Sequence, residues 1–279
     1  METRQPKFII SVGIKGIGKT YQLYRLIQEY VTPNKITGRK ARKIILFDIQ
    51  REYDNRKIQL EGFRWRSKVL DVNDLERWIM QSKIEIRRIL PINEFGKPAT
   101  DKEEVEILSK ILQTARGCML ILEDLNRYII TTDTRDIIGA IISNRHKDLD
   151  LCANLQSLAP ISPRMWQNVN YIKFFHISDS IDRYKNRIPN FDLFKITQIL
   201  VDGQYFNGNK RFFVWVDCEN EKIIGKFNLL MYNQAAEEYI KTHRAIMRPY
   251  LDLHKGKSDT YLLAMKDAIN SFGKYYGNK

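Results

Sequence analysis

The chain has 279 residues, 43% hydrophobic and 28% charged, with 46 Lys/Arg against 33 Asp/Glu. Its three cysteines, Cys118, Cys152 and Cys218, stand far apart with no C-x-x-C or Cys/His ligand spacing, which excludes a disulfide framework and a zinc site and predicts reduced, buried thiols. No apolar run approaches the roughly 20 residues of a membrane helix, and the amino terminus leads directly into a strand pattern. The expectation is one α/β core with an appendage, cytoplasmic, without a signal peptide or stable membrane insertion.

The formal charge of +13 is unevenly spread. Residues 1–68 hold 16 Lys/Arg against 6 Asp/Glu, residues 69–240 hold 22 against 24, and residues 241–279 hold 8 against 3. Clustered cations displace counterions from phosphate backbones and anionic surfaces, so a polyanionic partner is expected.

In chain order, Lys7 to Val12 is a short apolar run ending at a glycine, as a buried parallel strand should be. After a glycine-rich loop, Tyr21, Leu23, Tyr24, Leu26, Ile27 and Tyr30 recur at helical spacing, with Pro33 beyond the end. Thr32 to Lys43 is a polar, basic connection, and Lys43 to Asp48 a second strand closing on a carboxylate. Residues 54–100 yield a short strand at Lys68 to Asp71 and a helix from Asn73 to about Ser82. An amphipathic helix starts at the acid-rich Asp101 and ends near Gly117. Cys118 to Leu122 is a buried strand followed by Glu123 and Asp124. A helix from about Thr134 to Arg145 precedes strands at Leu149 to Leu155 and Tyr171 to His176.

This alternation predicts a mostly parallel, doubly wound sheet flanked by helices over residues 1–188, the α/β P-loop NTPase fold of RecA-like (ASCE) type. From residue 189 to 279 a C-terminal appendage of the same domain is expected. It comprises antiparallel hairpins at Tyr205-Phe206, Arg211 to Val216 and Lys222 to Phe227, and helices over Gln234 to Met247, stopped by Pro249, and Tyr261 to Phe272. In the hairpins, Phe212, Phe213 and Trp215 read as core in preference to a base-stacking platform.

The run Gly13-Ile14-Lys15-Gly16-Ile17-Gly18-Lys19-Thr20 fits G-x-x-x-x-G-K-[ST] between a predicted strand and a predicted helix, the context this phosphate-binding motif requires. Its glycines let backbone N–H groups wrap a β-phosphate and the helix N-terminus adds partial positive charge. Lys19 would reach the β and γ phosphates and the Thr20 hydroxyl would ligate Mg²⁺. ATP and Mg²⁺ are the cofactors expected. Glu123 and Asp124, directly after an apolar strand, are placed as a carboxylate pair in which one acid orients the metal shell and its neighbour polarises the attacking water. The expectation puts Glu123 with Thr20 on the metal and Asp124 on the water. Gln156 ends the strand after that pair, where a polar side chain would lie beside the γ-phosphate and sense it, the alternative being a plain strand-end polar residue. For Asp48 and Glu52 ordinary turn chemistry competes with a role at the site.

Asp48-Ile-Gln-Arg-Glu52-Tyr53 resembles the D-x-x-x-E-Y element of HerA-type ATPases, and Arg145-His146 followed by Gln156-Ser157 resembles the stretch between the acid pair and the sensor strand of that group. With the loop, these features are similar to the FtsK–HerA superfamily, above all its short branch of viral genome-packaging ATPases, over roughly residues 7–177. The resemblance implies a homo-oligomeric ring, usually a hexamer, that hydrolyses ATP between subunits and pulls double-stranded DNA through its centre at a capsid or portal vertex. It also implies an arginine supplied by the neighbouring subunit, with Arg145 first and Arg135 and Arg164 behind it. The family writes its acid pair as Asp-Glu, so the reversed order Glu123-Asp124 leaves the division of roles open. A filamentous-phage assembly or export ATPase of the zonula-occludens-toxin type is a rival, as are a P-loop kinase or regulator that ignores DNA and a non-enzymatic nucleic-acid scaffold. The basic stretch Lys35 to Lys43, with Arg51, Arg56, Lys57, Arg64, Arg66 and Lys68, is the candidate face for DNA or an acidic capsid surface, the alternative being a solvated loop.

Overall fold

The structure, a computed structural model, describes residues 5–51, 53, 58–60, 63–65, 67–93, 95–123, 125, 139 and 141–277, with the backbone alone at 58–60, 63–65, 144 and 145. Eleven strands are formed among the described residues: β1 Phe8–Val12, β2 Lys43–Phe47, β3 Ile58–Leu60, β4 Phe63–Trp65, β5 Lys68–Val69, β6 Ile86–Ile89, β7 Cys118–Leu122, β8 Asp150–Leu155, β9 Tyr171–Phe175, β10 Phe213–Asp217 and β11 Lys222–Gly225. Nine of them make one mixed, mostly parallel sheet in the order β11-β10-β9-β1-β8-β7-β2-β6-β5, while β3 and β4 pair separately. Helices follow as α1 Lys19–Val31, α2 Leu75–Met80, α3 Asp101–Thr114, α4 Pro163–Trp166, α5 Phe191–Phe206, α6 Leu229–Thr242, α7 Arg248–Leu253 and α8 Thr260–Phe272. This is the P-loop NTPase fold. Among the described residues no helix is long and apolar enough to cross a membrane.

The chain divides into two compact units. The first is Met1–Ser11, Gly18–Leu155 and Gln167–Val169, and the second is Val12–Ile17, Gln156–Trp166 and Asn170–Lys279. In the first unit β1, β2 and β7 are buried along their whole length, as parallel strands covered on both faces must be. The parallel register pairs Phe47 with Leu122 and Leu122 with Ala153. The residues just beyond β2 and β7, Asp48 and Glu123, therefore leave the sheet at one level. Strand β8 lies between β1 and β7, so the strand that ends before Gln156 runs between the one that feeds the loop and the one that ends before Glu123. Helix α3 starts at a full capping box, in which the Thr100 hydroxyl accepts the Glu103 N–H while the Glu103 carboxylate accepts the Thr100 N–H. It buries Leu108, Ile111 and Leu112.

In the second unit β10 pairs antiparallel with both β9 and β11, so the expected hairpin is present and extends the sheet. Phe212 is buried, and Phe213 and Trp215 pack around the buried ammonium of Lys173, 5.3 and 4.4 Å from their ring centres. Tyr205 and Phe206 are not a strand. They close α5, whose side chains are buried from Phe191 to Val201 on more than one face, so the segment has no polar stripe to betray its period. Helix α6 ends at Thr242 rather than Met247, and Pro249 opens α7 instead of stopping its predecessor, because proline fits the first helical turn without losing a hydrogen bond. Strand β6, unanticipated, joins β2 to β5. The expected helix from Thr134 to Arg145 falls largely outside the described residues, and Ser143–Lys147 forms a 3-10 turn. Cys118 and Cys152 are buried and Cys218 half-buried, all as free thiols.

Candidate nucleotide-binding site

The loop that joins β1 to α1 has the backbone its sequence demands. Gly16 (φ 79°) and Gly18 (φ 104°) take left-handed conformations that residues with a Cβ rarely adopt. Gly13 is required for space, since a Cβ there would stand 2.6 Å from Phe175 Cβ and 3.2 Å from the His176 carbonyl oxygen. That carbonyl accepts the Ile14 N–H at 3.0 Å, and the side chain of Ile17 is buried, so the loop is anchored at Gly13, Ile14 and Ile17. Lys15 and Gly16 are exposed at the crest, with nothing within 4 Å of where a Gly16 Cβ would stand. Helix α1 begins at Lys19 and Thr20 with no side-chain cap and no acid in its first turn. Its leading N–H groups and the positive end of its dipole suit an anion at the head of the helix. The residues present fit a bound phosphate chain.

Beyond the ends of β2 and β7 the first unit builds a polar cluster. Asp48, 1% exposed, accepts the Tyr53 N–H at 3.3 Å and stands 3.5 Å from Nη1 of Arg88, a β6 side chain that is itself buried. This turn holds the Tyr53 ring, which is 2% exposed and meets Tyr24 of α1 edge to face at 6.2 Å. The Tyr53 hydroxyl then donates to Oε1 of Glu123. Asp48 and Tyr53 thus form a bracket for the first acid after β7. The resemblance pointed to both residues without giving Tyr53 a role, and Arg88 escaped it altogether. Among the described residues no three His, Cys, Asp or Glu side chains gather into a metal cage. Mg²⁺ needs none, because one carboxylate, a hydroxyl and substrate phosphates suffice to hold it beside its waters.

Asp124, Arg135, Glu52, Arg56, Lys57 and Arg66 and the side chains of Arg145 and Arg64 lie outside the described residues. Gln156 is exposed at a bend immediately after β8, and Arg164 is exposed on α4. In the second unit, Nδ1 of His176 is 2.6 Å from Oδ1 of Asp202, and burial holds that carboxyl above the usual aspartate range against the pull of the imidazole.

The basic connection before β2 loses two members. Arg42 is spent on Asp148, through Nη1 to the carboxylate at 3.0 Å and Nη2 to the carbonyl at 2.6 Å. Lys43 is buried, with its ammonium donating to the carbonyls of Trp78 at 2.7 Å, Ile79 at 2.8 Å and Gln81, which end α2. Burial pulls its pKa below the ordinary lysine value, with Glu85 opposing. Lys35, Lys40, Arg51 and Lys68 remain exposed. A cleft of about 710 Å³ lined by Arg42, Lys43, Arg116 and Lys147 opens at the amino ends of β2 and β7. Ligands of open α/β sheets bind outside the carboxyl ends of the strands, and the cleft is at the wrong end for the loop chemistry.

Fold and loop together define the P-loop NTPase class. No protein-family model and no curated protein matches this chain. Among solved structures it is similar to the genome packaging NTPase B204 of Sulfolobus turreted icosahedral virus 2 in complex with ATP-gammaS, at 16% identity over 80% of this chain and 98% of that one, with a TM-score of 0.44. The DNA-packaging ATPase B204 of Sulfolobus turreted icosahedral virus is similar at 14% identity over 81% and 100%, with a TM-score of 0.48. The N-terminal domain of zonular occludens toxin from Neisseria meningitidis follows at 11% identity over 61% and 76%, with a TM-score of 0.34.

Proposed function

We propose that this chain is an ATP hydrolase that moves double-stranded DNA, working as a homo-oligomeric ring in viral genome packaging. The observation that carries the hydrolase part is the uncapped, glycine-turned loop Gly13–Thr20 at the head of α1. Backbone N–H groups of Gly13 to Thr20 would bind the phosphates and Lys19 would neutralise charge on them. Thr20 and Glu123 would hold Mg²⁺, which when bound polarises the phosphoryl oxygens. Asp124 would orient the attacking water, Gln156 would sense the γ-phosphate, and Arg145 would act on the neighbouring subunit's site. The DNA part is supported by the excess of Lys/Arg in residues 1–68 and by the D-x-x-x-E-Y resemblance.

The deciding measurement is the ATPase rate with and without double-stranded DNA, made beside the particle mass in solution. Stimulation by DNA in a ring-sized particle is expected. Hydrolysis by a monomer indifferent to DNA would place the chain among nucleotide-binding regulators instead. Lys19→Ala is expected to abolish turnover and leave the thermal midpoint unchanged, because Lys19 acts on phosphate charge rather than on packing. Undiminished turnover in that folded variant would remove the hydrolase assignment.

A further inference from the structure

Helix α5 ends on two aromatic residues that close over the residue following β9, all within the second unit. The Tyr205 ring lies on the His176 imidazole with centres 3.9 Å apart and planes at 9°. Phe206 stands edge-on to both, 5.4 Å from each centre. His176 is 9% exposed and clamped by Asp202, one turn earlier on α5, whereas Phe206 is 74% exposed. The cluster thus has a fixed floor and one open ring.

What the floor is attached to gives the open ring its meaning. The same His176 that carries Tyr205 receives the Ile14 N–H through its carbonyl, and Gly13 presses against Phe175 and His176 too closely for any side chain. Aromatic cluster and phosphate loop are therefore held by one residue at the carboxyl end of one strand. A nucleotide seated by its phosphates carries its base only a ribose away. Along the chain beyond the open ring, residues Asn207 to Arg211 are exposed and polar or glycine, with Lys210 and Arg211 among them. An interface between copies would need a wider apolar patch, and one ring framed by polar groups suits one planar ligand.

We propose that Phe206, backed by Tyr205 and His176, is the stacking platform for the nucleobase of the bound nucleotide. This rests on the reading of Gly13–Thr20 as a nucleotide site and adds the class of base. Stacking reads the area of a π face and not its hydrogen-bonding edge. The platform therefore favours purine over pyrimidine nucleoside triphosphates and separates ATP from GTP weakly.

The test compares Mg-ATP with Mg-tripolyphosphate, which has the phosphates and no base, by calorimetric titration of wild type, Phe206→Ala and Phe206→Trp. Phe206→Ala is expected to weaken ATP about tenfold, in the range measured for loss of one stacked base, and to leave tripolyphosphate binding unchanged. Phe206→Trp should restore ATP binding. Unchanged ATP affinity in Phe206→Ala would overturn the platform, as would an equal loss for both ligands, which would make the cluster a support of the loop. A lower particle mass for Phe206→Ala with ATP affinity intact would assign the ring to a contact between copies. Failure of wild type to bind either ligand would instead remove the nucleotide site, and the platform with it.

Discussion

One oxygen atom links the turn after β2 to the acid after β7. Tyr53→Phe keeps the ring against Tyr24 and removes the hydroxyl that donates to Glu123. If Glu123 works on the metal, its misplacement should cut kcat on the order of 10- to 100-fold while the KM for ATP stays within about twofold. Equal kcat values for the two proteins would reduce the bracket to packing. Behind Tyr53, Asp48→Ala removes the carboxylate that stands 3.5 Å from the buried Arg88 guanidinium, a loss on the order of 3–5 kcal/mol. Chemical denaturation should show it, and Asp48→Asn combined with Arg88→Met should recover part of the loss. Retention of wild-type stability by Asp48→Ala would show that the pair carries little. The loop was legible in the sequence because its pattern is local, with Gly16 and Gly18 each answering a backbone angle in the same turn, although the close approach of Gly13 to Phe175 was not. Arg88 was not, because it meets its partner across 40 residues and nothing near it in the chain marks it. The stack of Tyr205 on His176 was hidden for the same reason.

Among the elements, β6 and α5 show why an apolar pattern can mislead in both directions. The strand Ile86–Ile89 carries two central arginines and reads as surface until Asp48 and Glu85 are seen to receive them. Helix α5 is the reverse, since enclosure of several faces erases the periodicity that identifies helices. Strands β1, β2 and β7 were recovered almost to the residue because parallel strands are continuous apolar runs. The basic connection before β2 mixes two roles that charge counting could not separate. Lys43→Ala should remove the ammonium from three carbonyls at the end of α2 and cost about 2 kcal/mol, seen as a lower thermal midpoint with an unaltered salt dependence of DNA binding. Neutralising the exposed Lys35 and Lys40 should do the opposite, reducing the logarithmic salt slope by up to about two with stability preserved. An unchanged slope would turn this connection toward an acidic protein surface. Glu85 offers a pH test. Hydrogen bonds from Lys83 first and Arg87 next hold its carboxyl at about 2 against an ordinary 4.5. A depressed folded value means stability present above pH 4.5 and lost as the pH falls toward 2. Glu85→Gln should therefore flatten that part of the acid-unfolding curve, and an unaltered curve would discount the Lys83 and Arg87 contacts.

For the whole molecule the ring is the central expectation, and it can be tested without seeing one. If Arg145 completes the neighbour's site, Arg145→Ala and Lys19→Ala should each be inactive alone. Mixing them should return part of the activity, because some interfaces would then join an intact Lys19 to an intact Arg145. A mixture as inactive as its components would argue against an arginine acting in trans.

The three thiols divide between the two units, Cys118 and Cys152 in the first and Cys218 in the second. Burial pushes both Cys118 and Cys218 up to about 12, so an alkylating reagent finds almost no thiolate while the chain is folded. Each cysteine becomes a recorder of its own surroundings, modified only when those surroundings open. A pulse of reagent followed by peptide mass spectrometry along a denaturant series would date the opening of each unit separately, in a protein that needs no engineered label.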